Sequence, residues 1–384
     1  MKLPTMLLGA LPSSWTKGSN DSEQGREGRR SPSNSNPVAP PQQDKTAEMS
    51  VDMLNSALEE AIDVKPWETA NLEFVKLLQD AIRNHGRVDL MKRLDSGSMV
   101  AVKKMPNRWV TAGPKEFAEQ YPTATERPWL DIGIVRYLNR LEFPYACELY
   151  DVFRDTGFTY VAVSLATEGD LFTWCNKDQK PCKENEAELR PIARQIMEAV
   201  RWLHNLGISH RDLSLENILL TNSGDGLLHI KVIDFGMATT RRKCVKEVRG
   251  KQSYQAPEMH GETAYDAFLT DAFAIGVIIF GVAAQDYPWI TTKRGLCRLY
   301  DYISMHGLRS FMERRKVRKG DGECLIEVLS EGLIDVLEGF LQLQAEQRLT
   351  LGEKCWGKER VSAWNLPWVK DGALDPRYEK IVGG

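Results

Sequence analysis

No two of the seven cysteines form a C-x-x-C pair and their number is odd, so neither a disulfide framework nor a zinc site is indicated. A reducing, cytoplasmic setting is the simplest fit. No apolar run reaches the length needed to span a bilayer; the longest, residues 272–284, reads as a buried core helix. The apolar stretch Met6–Leu11 is too short and too close to prolines for a secretory signal. Charge of one sign is also lacking. With 50 basic against 53 acidic side chains the net charge is -3, which excludes a broad nucleic-acid surface. Residues 13–45 have almost no large apolar side chains and are rich in Ser, Asn, Gln, Gly and Pro, so they cannot offset their ordering entropy. Residues 1–48 are therefore expected to be a disordered tail, with Ser31-Pro32 behind three arginines as a candidate phosphosite. No internal repeat is present.

What remains is ordinary for a globular protein: 384 residues, 42% apolar and 27% charged, enough for two domains. Its centre is His210-Arg211-Asp212-Leu213-Ser214-Leu215-Glu216-Asn217, followed by apolar Ile218–Leu220, a polar turn, apolar-alternating Leu228–Ile233, and Asp234-Phe235-Gly236. The flanking runs read as two short strands in a hairpin, which would return Asp234 to the side of Asn217. A carboxylate at 212 can accept a hydroxyl proton, and Asn217 and Asp234 offer hard oxygens suited to Mg²⁺. Either triplet alone could arise by chance in a chain this long. Together they stand in order with Val100-Ala101-Val102-Lys103 before them and Ala256-Pro257-Glu258 after them, and accident does not produce that succession. On these motifs the chain resembles the eukaryotic protein kinases.

The resemblance implies a two-lobed α+β fold, with a β-rich small lobe at 70–163 and a mostly helical large lobe at 164–370. A helical extension would precede it at 49–69, where Met53, Leu54, Ala57, Leu58, Ala61 and Ile62 follow a helical period behind Ser50, and a tail would follow at 371–384. Lys103 matches the lysine that pairs with the ATP phosphates. Gly86 and Val88 lie where the glycine-rich loop ends, Ala101 precedes the lysine, and Val163, Ser164, Ala166 and Asp170 fall at the gatekeeper, the adenine-binding hinge and the ribose- or substrate-contacting acid. Asp271 matches the buried acid that anchors the catalytic loop, and Arg348 the late arginine that pairs with Glu258.

Four departures from the family pattern carry expectations of their own. The glycine loop reads Ala81-Ile82-Arg83-Asn84-His85-Gly86, keeping only its last glycine, which restricts backbone approach to phosphate and predicts weak or altered ATP binding; Arg83 could compensate by charge. Where the family places the glutamate that pairs with the lysine this chain has Ile134; Asp131, one turn earlier, is favoured over Glu126. The lysine two residues after the catalytic Asp is Ser214, and the threonine after the activation-segment glycine is Lys251, so a hydroxyl and an ammonium have changed places. Lys251 is then expected to supply the charge that steadies the transferring phosphate. Finally, the usual phosphorylated residue three before Gly250 is Glu247, which predicts an activation segment held by a Glu247–Arg211 pair without phosphorylation.

The reading is a Ser/Thr protein kinase that takes ATP and Mg²⁺ and acts on protein substrates, with neither nucleic acid nor membrane as partner and its oligomeric state open. Asp170 and Glu216 would favour basic residues in the substrate. The rival reading is a pseudokinase that binds ATP or scaffolds partners, supported by the eroded loop and Ser214 and opposed by intact Lys103, Asp212, Asn217 and Asp234. A kinase for small metabolites ranks last.

Overall fold

The computed structural model describes residues 64–370, apart from 82–85, 112–113, 176–180, 223, 225, 319–321 and 358. The expected tails at 1–48 and 371–384, the helical stripe Met53–Ile62 and Arg83 lie outside the described residues. Of the expected extension at 49–69, residues 64–69 are described, and they are not α-helical. Lys65–Pro66 form a short strand, β1, and Trp67–Thr69 a single 3₁₀ turn.

The small lobe is a six-stranded sheet in the order β1-β5-β6-β4-β3-β2. Its members are β2 (Leu72–Ala81), β3 (Gly86–Arg93), β4 (Met99–Pro106), β5 (Leu149–Arg154) and β6 (Phe158–Ser164). All neighbours run antiparallel except β1, which pairs parallel to β5. The sheet thus starts at Lys65, ahead of the boundary expected at 70. The reason lies in the two-residue alternation of β4, which gives the sheet two apolar faces. On one face Met105, Val152 and Val161 pack with Trp109, Phe117 and Ile132, and Val163 joins them from the rim. On the other, Met91, Val100, Val102, Phe153, Tyr160 and Ala162 form a second core. That second core needs a cover, and Trp67, Ala70 and Leu72 supply it, Trp67 stacking on Tyr160 at 3.9 Å. Such a pair adds about 0.5–1.5 kcal/mol beyond the area it buries.

Helix α1 (Pro128–Arg140) packs on the first face. Pro128 occupies its first turn, where a missing N–H costs nothing, and Leu130, Ile134 and Leu138 recur on its buried side. The large lobe is built on α2 (Glu186–Asn205) and α3 (Ala267–Ala284). Helix α3 is apolar on every side and begins at Asp266, whose carboxylate accepts the Phe268 N–H at 3.1 Å. The helix extends beyond the apolar run expected at 272–284 and, against the expectation on length, is long and apolar enough to cross a membrane; 94% of it is buried inside the fold, so it is a core helix. Around it lie α4 (Arg298–Arg314), broken at Gly307, and α5 (Glu331–Phe340). A small three-stranded sheet, β7 (Gly169–Asp170), β8 (Ile218–Asn222) and β9 (Leu228–Val232), sits on the cleft side, with β8 and β9 forming the expected hairpin.

Candidate active site

The β8–β9 register sets the site. Ile218 pairs with Val232, and the Ile233 N–H donates to the Asn217 carbonyl at 3.1 Å, so Asp234 emerges beside Asn217. Asn217 donates from Nδ2 to the Asp212 carbonyl at 2.7 Å and to Asp212 Oδ2 at 3.3 Å. With its amide nitrogen committed there, Asn217 keeps Oδ1 as an acceptor. His210 holds the stretch together from below: Nε2 donates to the Ile233 carbonyl at 3.1 Å, and Nδ1 accepts the Asp212 N–H at 3.2 Å.

The loop backbone hangs on Asp271 of α3, which accepts the His210 N–H at 2.7 Å and the Arg211 N–H at 2.8 Å. Arg211 has φ 63, a left-handed conformation that these two bonds hold in place. Asp271 is itself oriented by His204 of α2, whose Nε2 lies 3.0 Å away while Nδ1 reaches Glu353 at 2.7 Å. Burial alone would lower the imidazole pKa, but Asp271 and Glu353 outweigh it and lift it to about 9. Neither His204 nor Glu353 is marked by any sequence motif quoted above. Arg348, fully buried, forks onto Glu258 at 2.6 and 3.0 Å.

Across the cleft, Val88, Ala101, Lys103 and Val163 share the face of the small-lobe sheet that also carries the α1 core: Val88 pairs with Lys103, and Ala101 with Val163. Lys103 donates to Asp131 Oδ2 at 2.8 Å, whereas Ile134 is fully buried. Burial pulls the Lys103 pKa down, and Asp131 and Asp234 together more than reverse that, so the ammonium stays charged. Asp131 uses its other oxygen to accept the Phe235 N–H at 2.9 Å, and the Arg127 N–H donates to the Gly236 carbonyl at 2.8 Å. This explains the shorter acid: α1 is bonded directly to the Asp234–Gly236 turn and lies close enough for an aspartate to reach both partners.

Gly86 has a reason to be glycine that owes nothing to phosphate, since a Cβ there would fall 2.0 Å from the Lys104 carbonyl oxygen on β4. At the hinge, the Ser164 N–H donates to the Glu148 carbonyl at 2.8 Å and Ser164 Oγ accepts the Glu148 N–H at 3.0 Å, and Ala166 follows half-buried. Asp170 Oδ1 accepts the Thr173 N–H at 2.6 Å, capping the short helix Leu171–Cys175.

The activation segment brings two further groups to the site. Gly250, at φ 81, packs against the catalytic loop so closely that a Cβ would meet the Arg211 carbonyl at 2.7 Å and Asp212 Oδ1 at 3.4 Å. Next to it, Lys251 Nζ donates to Ser214 Oγ at 2.6 Å and lies 3.1 Å from Glu216 Oε2. The hydroxyl and the ammonium have exchanged positions and remain bonded to each other. Glu216, expected to attract basic substrate residues, is instead the counter-ion of Lys251. Glu247 accepts from Arg211 at 2.9 Å and from Arg241 at 2.6 Å. Burial pushes its pKa up, but the two guanidinium groups more than offset this and hold it below the usual carboxylate range. Arg241 as second partner of Glu247 was not foreseeable from spacing; the basic run 241–243 was the only signal.

Asn217 Oδ1 and the Asp234 carboxylate are hard donors on adjoining segments, fitting a Mg²⁺ that takes its other ligands from phosphate and water. Among the described residues no group of three or more His, Cys, Asp or Glu could hold a metal ion, so a dedicated all-protein cage is absent there.

The family model for the protein kinase domain matches residues 84–358, more than two thirds of the chain. The chain belongs to the protein kinase family. Among curated proteins it is 28% identical over 268 residues to the mitosis inducer protein kinase cdr1 of Schizosaccharomyces pombe, covering 69% of this chain and 38% of that one. It is 29% identical over 290 residues to the putative CBL-interacting protein kinase 13 of Oryza sativa, covering 74% and 49%. It is 32% identical over 209 residues to the serine/threonine-protein kinase GIN4 of Saccharomyces cerevisiae, covering 53% and 18%. The chain thus spans half or less of the length of each of these protein kinases.

Proposed function

We propose that this chain is an active Ser/Thr protein kinase that transfers the γ-phosphoryl group of ATP to protein hydroxyls, works in the cytoplasm, and needs no phosphorylation at the position of Glu247. The observation that carries this reading is the Lys251–Ser214 pair at 2.6 Å. A site that had merely decayed would lose the lysine; here the charge is kept and its hydrogen-bond partner is kept with it.

In this reading Asp212 accepts the proton of the attacking hydroxyl. Lys103, held by Asp131, binds the α- and β-phosphates, with Gly86, Val88, Ala101, Val163, Ser164, Ala166 and Asp170 around the nucleotide. Lys251 steadies the transferring group from the activation segment, and Glu216 keeps it oriented. Mg²⁺, held by Asn217 and Asp234, would neutralise developing charge on the phosphates. Glu247 and Arg211 fix the activation segment, while Asp271 and the Arg348–Glu258 pair hold the scaffold beneath.

The test is Mg²⁺-dependent transfer of labelled γ-phosphate to a generic protein substrate by bacterially expressed protein, alongside Asp212→Asn and Lys251→Met. Loss in both variants, with folding intact, supports the assignment. Transfer that survives Asp212→Asn would indicate a contaminant. Measurable ATP binding without transfer by the wild type would shift the reading to the pseudokinase, and near-normal activity of Lys251→Met would remove the relocated lysine from the mechanism.

A further inference from the structure

Strand β2 ends the small-lobe sheet, and among the described residues no strand pairs with its outer side. It is ten residues long and contains no proline, one of the residues that guard an open edge. Along it Phe74, Val75, Leu77 and Leu78 are 54, 44, 45 and 42% exposed. No other five-residue stretch among the described residues exposes more than two large apolar side chains. The opposite edge strand, β1, is two residues long and carries Lys65, ion-paired to Asp151. Phe74 pairs with Met91 and Leu77 with Asp89, which sets both on the face of the second core, beyond the cover that Trp67, Ala70 and Leu72 provide. Val75 and Leu78 are skipped by the β3 register, at the two bulges of the strand, and so have no partner across the pair. An apolar patch of this kind marks a surface that another chain covers.

The charges select the occupant. Lys76 lies mid-strand, where a lysine ordinarily repels a second strand. Here acids flank it, Glu73 before and Asp80 after. When two identical strands pair antiparallel about a two-fold axis, residues equally far before and after the axis face each other. An axis through Lys76 opposes two lysines, and one through Glu73 or Asp80 opposes two acids. Within the strand, only the axis through Leu78 brings opposite charges face to face: Lys76 meets Asp80 twice, on either side of a Leu78–Leu78 contact, with Leu77 beside Gln79.

We propose that β2 is an interface between two copies of this chain, packed antiparallel about a two-fold axis at Leu78. The bulges interrupt a continuous backbone ladder, so Leu77, Leu78 and the two Lys76–Asp80 pairs carry the contact, flanked by Phe74 and Val75.

The experiment is sedimentation equilibrium of the full chain across about 1–100 µM, where a micromolar dissociation constant is read directly. Wild type should pass from monomer to dimer. Leu78→Asp sets two carboxylates on the axis and should weaken the dimer by about a hundredfold or more. Lys76→Glu and Asp80→Lys each oppose like charges twice and should each weaken it about tenfold, whereas the two combined restore opposite charges and should return it to within about threefold of wild type. All three positions are exposed, so each variant should keep the wild-type urea midpoint. A chain that stays monomeric throughout, a dimer indifferent to Leu78→Asp, or a charge swap that fails to rescue would overturn the proposal. Hydrogen exchange tests the occupant: protection of residues 74–80 that grows with protein concentration supports the second copy. Protection independent of concentration would give the strand to residues 49–63 of the same chain and overturn it. Oligomeric state is read without turnover, so this outcome is independent of the kinase reading.

Discussion

In the large lobe the loop that carries Asp212 is tied to several buried partners, whereas in the small lobe Lys103 has one hydrogen-bonded carboxylate, Asp131. Asp212 sits on a loop whose N–H groups are bonded to Asp271, whose carbonyl is bonded to Asn217, and whose histidine is bonded to the Ile233 carbonyl. Lys103 has the single ion pair to Asp131, and Asp131 also holds the Phe235 N–H. The difference teaches where substitution is tolerated. A lobe held by many independent anchors preserves its motif residues, while a lobe held by one bridging acid can change that acid if the helix carrying it moves.

The comparison breaks most readily at the anchors. Asp271→Ala removes the acceptor of two loop N–H groups and leaves His204 with Glu353 as its one carboxylate partner; breaking such a buried ionic network costs about 3–5 kcal/mol. Urea unfolding should show that loss together with loss of transfer, and a midpoint close to wild type would show that the loop is held elsewhere. Asp212→Asn should lower kcat by about 10²–10⁴-fold through loss of the base, with the unfolding midpoint little changed.

The exchanged pair gives a sharper test. Lys251→Thr should reduce kcat by about 10²–10³-fold, as removal of one preorganised electrostatic group does. Adding Ser214→Lys to that variant restores the opposite arrangement of the two groups. Recovery of most of the lost kcat is expected, and additive loss in the double variant would show that Lys251 and Ser214 do not act as a pair.

On the small-lobe side, Asp131→Asn should lower kcat/KM by about tenfold to a hundredfold, reflecting misplacement of Lys103. Ile134→Glu added to it should fail to rescue, because Ile134 is fully buried and a carboxylate placed there would have to give up its hydration. Rescue would mean that α1 can rotate to offer residue 134 to the cleft.

The smallest effect is a pH dependence. The folded pKa of His204 is raised to about 9, from the usual value near 6.5. Its protonation therefore stabilises the fold fully below about 6.5, and the contribution declines as pH rises and is lost above about 9. Unfolding midpoints across pH 6–10 should fall on the alkaline side, and His204→Gln should flatten that fall. An unchanged slope would place the alkaline sensitivity on another group.

Much of the large lobe was legible in the sequence because its chemistry is encoded by local spacing. Asp212 and Asn217 lie within one loop, and the β8–β9 hairpin that returns Asp234 needs only two short apolar runs and a turn. The apolar run 272–284 likewise reads as a core helix, although the five residues that open that helix, 267–271, were placed only by the structure. Glu247 opposite Arg211 and Lys251 beside Ser214 could be proposed from position in the activation segment. The distances that join them, 2.9 and 2.6 Å, belong to the tertiary structure. Trp67 was assigned to a helix because periodicity upstream said nothing about a second apolar face on a distant sheet. That face is visible only once Val100 and Val102 are paired with Met91 and Ala162.

By itself, then, the sequence determined the family and the two-lobed α+β fold, because the motifs that carry them are written in residues a few positions apart. Tertiary structure alone decided that Asp131 reaches both Lys103 and the Phe235 N–H, that Glu216 neutralises Lys251, and that His204 and Glu353 orient Asp271. Each of these pairs residues far apart in the chain, and a charge finds its partner through the packing of the elements that carry it.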